Sequence, residues 1–131
     1  MKTVALDTNA YSGFKRGLVE VVDQLARAER ILVPVPVLAE LRIGFRGGSR
    51  EARNLDELEQ FFSSPRVEIC SMTEQTAILY AEIFGTLQRK GTPIPLNDIW
   101  IASSAMEHGA VLISDDARFS RIDGLLLNIP L

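Results

Sequence analysis

Four acidic residues spread along the chain are of a type that can do chemistry together: Asp7, Glu40, Asp98 and Asp116. Each follows a predicted strand, begins a predicted helix, or lies on a helix beside small residues. In an α/β fold such positions can converge at one edge of the sheet. Four carboxylates in one pocket would repel each other unless a cation held them, and hard cations such as Mg²⁺ and Mn²⁺ prefer oxygen ligands. The pattern predicts a metal-dependent enzyme that acts on phosphate.

Two of these acids have simpler interpretations when each is taken alone. Asp7 directly follows an apolar strand, where a catalytic aspartate and a plain helix cap are both at home. Glu40 borders the apolar stripe of its helix, and Gly44 leaves room beside it. A solvated helix face, with Glu40 paired to Arg42 or another basic residue, is the alternative to a functional role.

The other two acids are also open to more than one interpretation. Asp98 falls in the first turn of a predicted helix, where the helix dipole favours an anion. The apolar residues 99–102 follow at once, so we expect Asp98 to point into a crevice. Asp115 and Asp116 form an acidic pair after a strand, and one of them can cap the next turn while the other faces the site. Ser114 is either a turn residue or a donor to a carboxylate or a metal-bound water.

Alternating strands and helices predict how these acids are positioned. Strands are predicted at residues 2–6, 30–33, 67–70, 110–114 and 125–129. Helical segments are predicted around residues 8–16, 18–25, 36–46, 51–62, 73–90 and 98–108. The expected cap residues are Thr8 and Asn9 for the first of these, Thr73 and Thr76 for the fifth, and Asn97 for the sixth. The fifth is expected to face inward with Ala77, Tyr80, Ala81, Phe84 and Leu87. The alternation predicts an α/β fold, a three-layer sandwich with a central, mostly parallel sheet of about five strands. Since no linker or repeat interrupts it, we expect a single domain over residues 1–131.

Composition sets limits on the class of protein. The chain has 131 residues, of which 47% are hydrophobic and 24% charged, and its apolar stretches are too short for a transmembrane helix. The net charge of -3 argues against a broad basic surface for nucleic acid, but active-site acids bias this total, so a nuclease is not excluded. Cys70 is the only cysteine and lies in a predicted strand, which indicates a core residue and a cytoplasmic location.

Four segments in order carry a resemblance: ALDTNAY at residues 5–11, PVPVLAELRIG at 34–44, PLNDIWIAS at 95–103 and SDDARF at 114–119. Together they resemble the PIN-domain ribonucleases, specifically the VapC-like toxins of bacterial and archaeal toxin–antitoxin pairs. The match covers essentially the whole chain.

The resemblance implies which acids form the site. The first three segments each supply one acid of the family's site: Asp7, Glu40 and Asp98. The fourth segment of the family has threonine, any residue, aspartate, any two residues and phenylalanine. Here Ser114 takes the threonine position and Phe119 the phenylalanine position, so Asp116 is the matching acid and Asp115 is its neighbour.

The resemblance also implies an activity and partners. It implies a parallel sheet between helices, and Mg²⁺- or Mn²⁺-dependent endonucleolytic cleavage of RNA, with transfer RNA as one candidate substrate. It further implies a homodimer, and a small VapB-like antitoxin that wraps the toxin and blocks its site.

Each acid receives an expected role from this interpretation. Asp7 and Asp98 are expected to hold the metal most directly. Glu40 and Asp116 would complete the site through water or a second ion, and one of the two would take the proton from the attacking water. His108 is the only histidine, which excludes metal-free catalysis by a histidine pair, and we expect it to complement a helix dipole.

Two surfaces are candidates for binding, although solvation and core packing explain the same residues. Basic side chains that could contact phosphates are Lys15, Arg16, Arg42, Arg46, Arg50 and Arg53. Apolar side chains that could meet the antitoxin, or lie in the core, are Leu18, Val21, Val22, Phe61 and Phe62.

Two other classes of function remain open. One is a Mg²⁺-dependent phosphate-handling enzyme or receiver module. Such proteins normally have a lysine near the pocket or, in haloacid-type phosphatases, an aspartate two residues after the first. Here Asn9 stands at that position, and no lysine follows the fourth strand. The other is a catalytically silent PIN-like module that binds RNA or protein, against which the four intact carboxylates argue.

Overall fold

A five-stranded sheet forms the centre of the computed structural model, which describes residues 3–130. The strands are β1 (Thr3–Leu6), β2 (Arg30–Pro34), β3 (Val67–Cys70), β4 (Val111–Ile113) and β5 (Leu127–Asn128). All four pairings are parallel, and the strand order is β3-β2-β1-β4-β5. The predicted parallel α/β fold is therefore confirmed.

Helices and one short 3-10 helix connect the strands. They are α1 (Thr8–Lys15), α2 (Val19–Arg27), α3 (Val35–Phe45), α4 (Glu51–Phe62), α5 (Glu74–Lys90), α6 (Leu96–Glu107) and the 3-10 helix Ala117–Arg121. Side chains alternate between the two faces of a strand, yet Val4, Ala5 and Leu6 are all buried. Both faces of β1 are therefore covered, as expected of a parallel sheet.

The strand boundaries differ from prediction mainly at the ends. The predicted strand 2–6 is observed from Thr3, and Lys2 lies outside the described residues. The fifth strand has two residues instead of five, because it lies at the sheet edge and pairs with β4 alone. The backbone carbonyl of Asn128 in this strand accepts a hydrogen bond from the Ser114 amide, and this bond fixes the chain just beyond β4.

Two helices correct the sequence prediction. α6 begins at Leu96 with Pro95 at its N-cap, so Asn97 lies inside the first turn and is not the cap that we expected. In α5, Ala77, Ala81 and Phe84 were expected to face inward but are exposed.

The cause of the second correction lies at the start of α5. Thr73 caps the helix as predicted, and Thr76 reciprocates in a capping box. The buried Thr76 hydroxyl donates to Glu107 at the end of α6, and Thr73 donates to the same carboxylate at 2.7 Å. These bonds fix the rotation of α5, so that Thr76, Ile83 and Leu87 face the core.

The topology directs attention to one edge of the sheet. β1 lies between β2 and β4. From β1 the chain first forms β2 and β3 on one side, and then crosses to form β4 and β5 on the other side. At such a switch point the connections diverge and leave a crevice beyond the carboxyl ends of the strands. Among the described residues, no helix has both the length and the apolar character needed to cross a membrane.

Candidate active site

Asp7 lies at the carboxyl end of β1 and is 5% exposed. It is the N-cap of α1, and its Oδ1 accepts a hydrogen bond from the Ala10 amide at 2.8 Å. Its Oδ2 accepts a short bond from the hydroxyl of buried Ser114, which follows β4. Burial, together with the charges of Asp115 and Asp98, raises the pKa of Asp7 to about 6, although both hydrogen bonds lower it.

Glu40 projects from the middle of α3 and is partly buried. Its Oε1 accepts a hydrogen bond of 2.6 Å from the Thr8 hydroxyl, in the first turn of α1. Among the residues described, no ion pair joins Glu40 to Arg42 or to another basic residue, so the predicted alternative of a helix-face pair is not observed. Because Thr8 directly follows Asp7 in the chain, the bond from Thr8 holds Glu40 close to Asp7.

Asp98 occupies the first turn of α6, and its side chain is 16% exposed. Burial raises its pKa, and the charges of Asp116 and Glu40 raise it as well, while Arg118 opposes them. Asp98 therefore lies in a partly desolvated crevice beside other acids, as the apolar residues around it predict.

Asp116 and Arg118 form the most strongly bonded pair of the site. The Arg118 guanidinium donates to both carboxylate oxygens, with Nε 3.1 Å from each and a terminal nitrogen 2.6 Å from Oδ2. This pairing holds the pKa of Asp116 below its usual range. The same guanidinium lies 3.7 Å from Asp98 Oδ2, so Arg118 bridges two of the four acids.

The four acids therefore meet in one electrostatic site without forming a closed cage. Asp98 raises the pKa of Asp7, and Glu40 and Asp116 raise that of Asp98. Within residues 3–130, no three side chains of His, Cys, Asp or Glu are placed to hold one ion. Arg118 supplies the positive charge between Asp98 and Asp116 instead.

Three residues of the site had no assigned role in the sequence analysis. Thr8 looked like a cap but binds Glu40, and Asn9 donates to exposed Asp115 at 3.3 Å. Arg118 lies two residues after Asp116, where the 3-10 helix turns its side chain back on to that carboxylate. A basic residue two positions after an acid at a predicted turn is the signal that could have revealed it.

His108 and Cys70 lie apart from the acids. Cys70 is buried, as predicted, and its Sγ is 3.2 Å from Nδ1 of His108, which holds the C-cap position of α6. Burial raises the pKa of the Cys70 thiol to about 11, so it stays protonated at neutral pH. The same ring nitrogen of His108 lies 3.0 Å from the Ser104 carbonyl oxygen, so polar contacts hold this pair together.

The fold and the acids define an α/β protein with a carboxylate site beyond the carboxyl ends of β1 and β4. Residues 4–125 match the PIN domain family. The chain belongs to the PIN-domain family.

Known relatives agree with this assignment. Ribonuclease VapC2 of Rickettsia felis is 33% identical over 107 residues, which cover 81% of this chain and 78% of that protein. The tRNA(fMet)-specific endonuclease VapC of Salmonella typhimurium is 35% identical over 97 residues, or 73% of this chain and 72% of that protein. A chain of the Rickettsia felis VapBC2 structure, bound to a promoter DNA fragment, superposes with a TM-score of 0.84 at 27% identity, covering 97% of this chain and 98% of that one.

Proposed function

We propose that this chain is a metal-dependent endoribonuclease, the toxin of a cytoplasmic toxin–antitoxin pair, with Asp7, Glu40, Asp98 and Asp116 as its active site. The relatives named as ribonucleases support the activity. The observation that carries the site assignment is the buried carboxylate of Asp7, which faces the charge of Asp98 at the carboxyl edge of the sheet.

The donor set fits a divalent cation such as Mg²⁺ or Mn²⁺. The candidate ligands are carboxylate oxygens, and two of the acids, Asp7 and Asp98, have pKa values raised by burial and by the charges of neighbouring acids. When bound, such an ion neutralises a phosphodiester, acidifies a water molecule and stabilises the leaving oxygen. Asp7 and Asp98 would hold it most directly, because burial raises the pKa of both and a bound cation would offset the cost of their buried charge.

The remaining residues position these ligands. The Ala10 amide and Ser114 fix one oxygen each of Asp7, and both oxygens keep further lone pairs for a ligand. Thr8 orients Glu40. Glu40 and Asp116 would act through water or a second ion, and one of the two accepts the proton of the attacking water.

We further propose a VapB-like antitoxin and a second copy of this chain as partners. The solved relatives include VapBC complexes, which supports the first. A cavity of about 420 Å³ between α1, α2 and α4 has Phe14, Val22 and Phe61 among its lining residues and provides an apolar surface for the antitoxin. Of the candidate contact residues, Val21 is buried and belongs to the core, whereas Leu18 and Val22 are exposed.

RNA cleavage with and without metal tests the proposed function. The protein is incubated with transfer RNA, and with total RNA, in Mg²⁺, in Mn²⁺ and in chelator. We expect cleavage only with metal, and we expect Asp98→Asn or Glu40→Gln to slow it by about 100-fold or more. Asp56→Asn is the matched control, because it removes an exposed acid of α4 outside the site and should leave cleavage intact.

Three other outcomes would point elsewhere. Cleavage that resists chelation would reject the metal mechanism. RNA binding without cleavage under any metal would favour the silent module. Release of inorganic phosphate from a small phosphate ester, without RNA cleavage, would favour a phosphate-handling enzyme.

A further inference from the structure

A basic recess lies at the far end of α1 from the acidic site. It has a volume of about 290 Å³ and lies between the end of α1, the end of α3 and the start of α4. Four basic side chains line it: Lys15, Arg16, Arg50 and Arg53. We call this feature the basic recess.

The charge of the basic recess favours an anion. Glu57 is its only acidic lining residue, and it already pairs with Lys15 at 3.1 Å and lies 3.7 Å from Arg53 Nε. Among the described residues, Arg16 and Arg50 form no ion pair. Four basic groups against one acid leave three positive charges in a chain whose net charge is -3. Such local concentration of one sign attracts a ligand of the other.

A buried hydroxyl in the wall of the recess provides an independent observation. Tyr11 lines the recess and is 3% exposed, and its hydroxyl has no hydrogen-bond partner among the described residues. Buried polar atoms are normally paired, so an unpaired donor indicates a missing acceptor. Burial and the charge of Glu57 raise the pKa of Tyr11 to about 12, so the hydroxyl keeps the proton that it would donate.

The two helices that carry site residues also lead to the recess. α1 has Thr8 beside the acids, Ser12 one turn later and Arg16 just past its end, and residues four apart share a helix face. At a rise of about 1.5 Å per residue, Thr8 and Arg16 are about 12 Å apart along the helix. α3 carries Glu40 in its middle and ends at Phe45, which also lines the recess. An RNA strand that crosses the acidic site along these helices would reach the basic recess within a few nucleotides.

We propose that the basic recess binds a backbone phosphate of the RNA, a few nucleotides from the bond that is cut. This inference rests on the proposed function and names where the substrate is held. Arginine is suited to the role, because its planar fork of donors matches a phosphate. The shared helices favour RNA over an acidic segment of a partner protein, which would need no continuity with the acids.

Salt-dependent binding to RNA of two lengths tests the basic recess. The double variant Arg16→Gln/Arg50→Gln is compared with Arg27→Gln/Arg89→Gln, which removes the same charge from exposed arginines outside the recess. Each protein is titrated, in chelator, with a labelled single-stranded RNA of about twenty nucleotides and with a dinucleotide, at several salt concentrations. Far-ultraviolet circular dichroism confirms that each variant is folded.

We expect the recess variant alone to bind the long RNA about tenfold more weakly. Its salt slope, the slope of log K for binding against log salt concentration, should be smaller in magnitude by about one. Binding of the dinucleotide, which is too short to reach the recess, should not change. Tyr11→Phe separates a ligand contact from a structural role. It should keep or raise the melting temperature of the free protein and weaken binding of the long RNA by about two- to fivefold.

Each remaining outcome overturns the proposal in a distinguishable way. Equal loss in both double variants would assign the effect to net charge. Metal-dependent RNA cleavage by the wild type, with an unchanged salt slope in the recess variant, would reject the recess and leave the proposed function standing. Unchanged RNA binding with weakened binding of a poly-glutamate peptide would assign the recess to an acidic protein segment. A wild type that neither binds nor cleaves RNA would overturn both proposals.

Discussion

Asp7 caps α1, and this role is compatible with its proposed role as a metal ligand. One of its oxygens caps α1 and the other accepts from Ser114, so the bonds that fix the carboxylate also determine where it points. Burial nevertheless dominates its electrostatics and raises its pKa. A carboxylate held rigid, dehydrated and beside another acid is well placed to meet a cation.

Asp7 is expected to make the metal-free protein less stable as the pH rises. Its pKa is about 6 in the folded chain and 3.8 ordinarily, so between these values the folded chain keeps a proton that the unfolded chain has lost. The free energy of unfolding therefore falls across this range, by a total of about 3 kcal/mol. Asp7→Asn removes this pH-dependent loss of stability, because asparagine does not titrate. In chelator, the variant should melt above the wild type at about pH 8, and by a smaller margin at about pH 5.

Asp116 provides the control of opposite sign. Its pKa is lowered by Arg118, so its stabilising contribution is present above its ordinary pKa and is lost as the pH falls through the lowered value. Asp116→Asn should therefore melt below the wild type at neutral pH. If the difference in melting temperature between Asp7→Asn and the wild type were the same at every pH, this would contradict the assigned burial of Asp7.

Arg118 is expected to compete with a bound cation. It bridges Asp98 and Asp116, so a bound cation must displace it or share its carboxylates. Arg118→Gln should bind Mn²⁺ about fivefold more tightly, the size of an exposed charge interaction. Isothermal titration calorimetry measures this. Arg121→Gln removes the same charge from the same 3-10 helix and should change the affinity less; an equal gain in both variants would refute the competition.

Residue types at strand ends pointed to Asp7 and Asp116, and the order of the four segments pointed to all four acids, whereas their hydrogen bonds left no such signal in the sequence. A strand followed by aspartate is visible in the sequence, and so is the order of the four segments. The contact of Thr8 with Glu40 depends on how α1 packs against α3, and that of Arg118 depends on a turn of the 3-10 helix. Neither arrangement has a periodicity to detect.

Between elements, Ser114 joins β4 to the end of β1. Its hydroxyl donates to Asp7 and accepts from the Asp116 amide at 3.0 Å, so one side chain positions two of the acids. The resemblance places threonine here, and serine supplies the same hydroxyl. This explains why the substitution is compatible with the site.

Removal of that hydroxyl is expected to weaken the site. Ser114→Ala leaves Oδ2 of Asp7 without its donor, while the Ala10 amide still donates to Oδ1. A hydrogen bond to a charged group is worth about 1.5–3 kcal/mol. The Mn²⁺ affinity should then fall by about tenfold or more, whereas Ser114→Thr should keep it near the wild-type value. Calorimetric titration of both variants distinguishes the cases. Equal affinities in Ser114→Ala and wild type would show that Ser114 does not orient Asp7.

Helix boundaries illustrate the limit of prediction at this scale. The cap at Thr73 was predictable from residue type, because threonine before a helical pattern is a local signal. The buried face of α5 was not, because the bonds of Thr73 and Thr76 to Glu107 come from a distant element. Local signals therefore fixed where this helix starts, and tertiary contacts fixed which face it buries.

For the whole molecule, alternation of strands and helices predicted a parallel sheet but not its strand order. The order places β1 between β2 and β4, and only this arrangement brings Asp7 and Ser114 together. The negative net charge likewise conceals two surfaces of opposite sign, the acidic site and the basic recess. Averages over the chain do not describe either one.

The most direct test of the account is the position of a bound cation. Crystals of the protein soaked with Mn²⁺ and measured at the manganese absorption edge reveal the ion by anomalous scattering. We expect a peak at ligating distance from both Asp7 and Asp98, with the Arg118 guanidinium moved away from Asp98. A saturating soak that leaves Arg118 bridging Asp98 and Asp116, with manganese absent or bound elsewhere, would contradict the account.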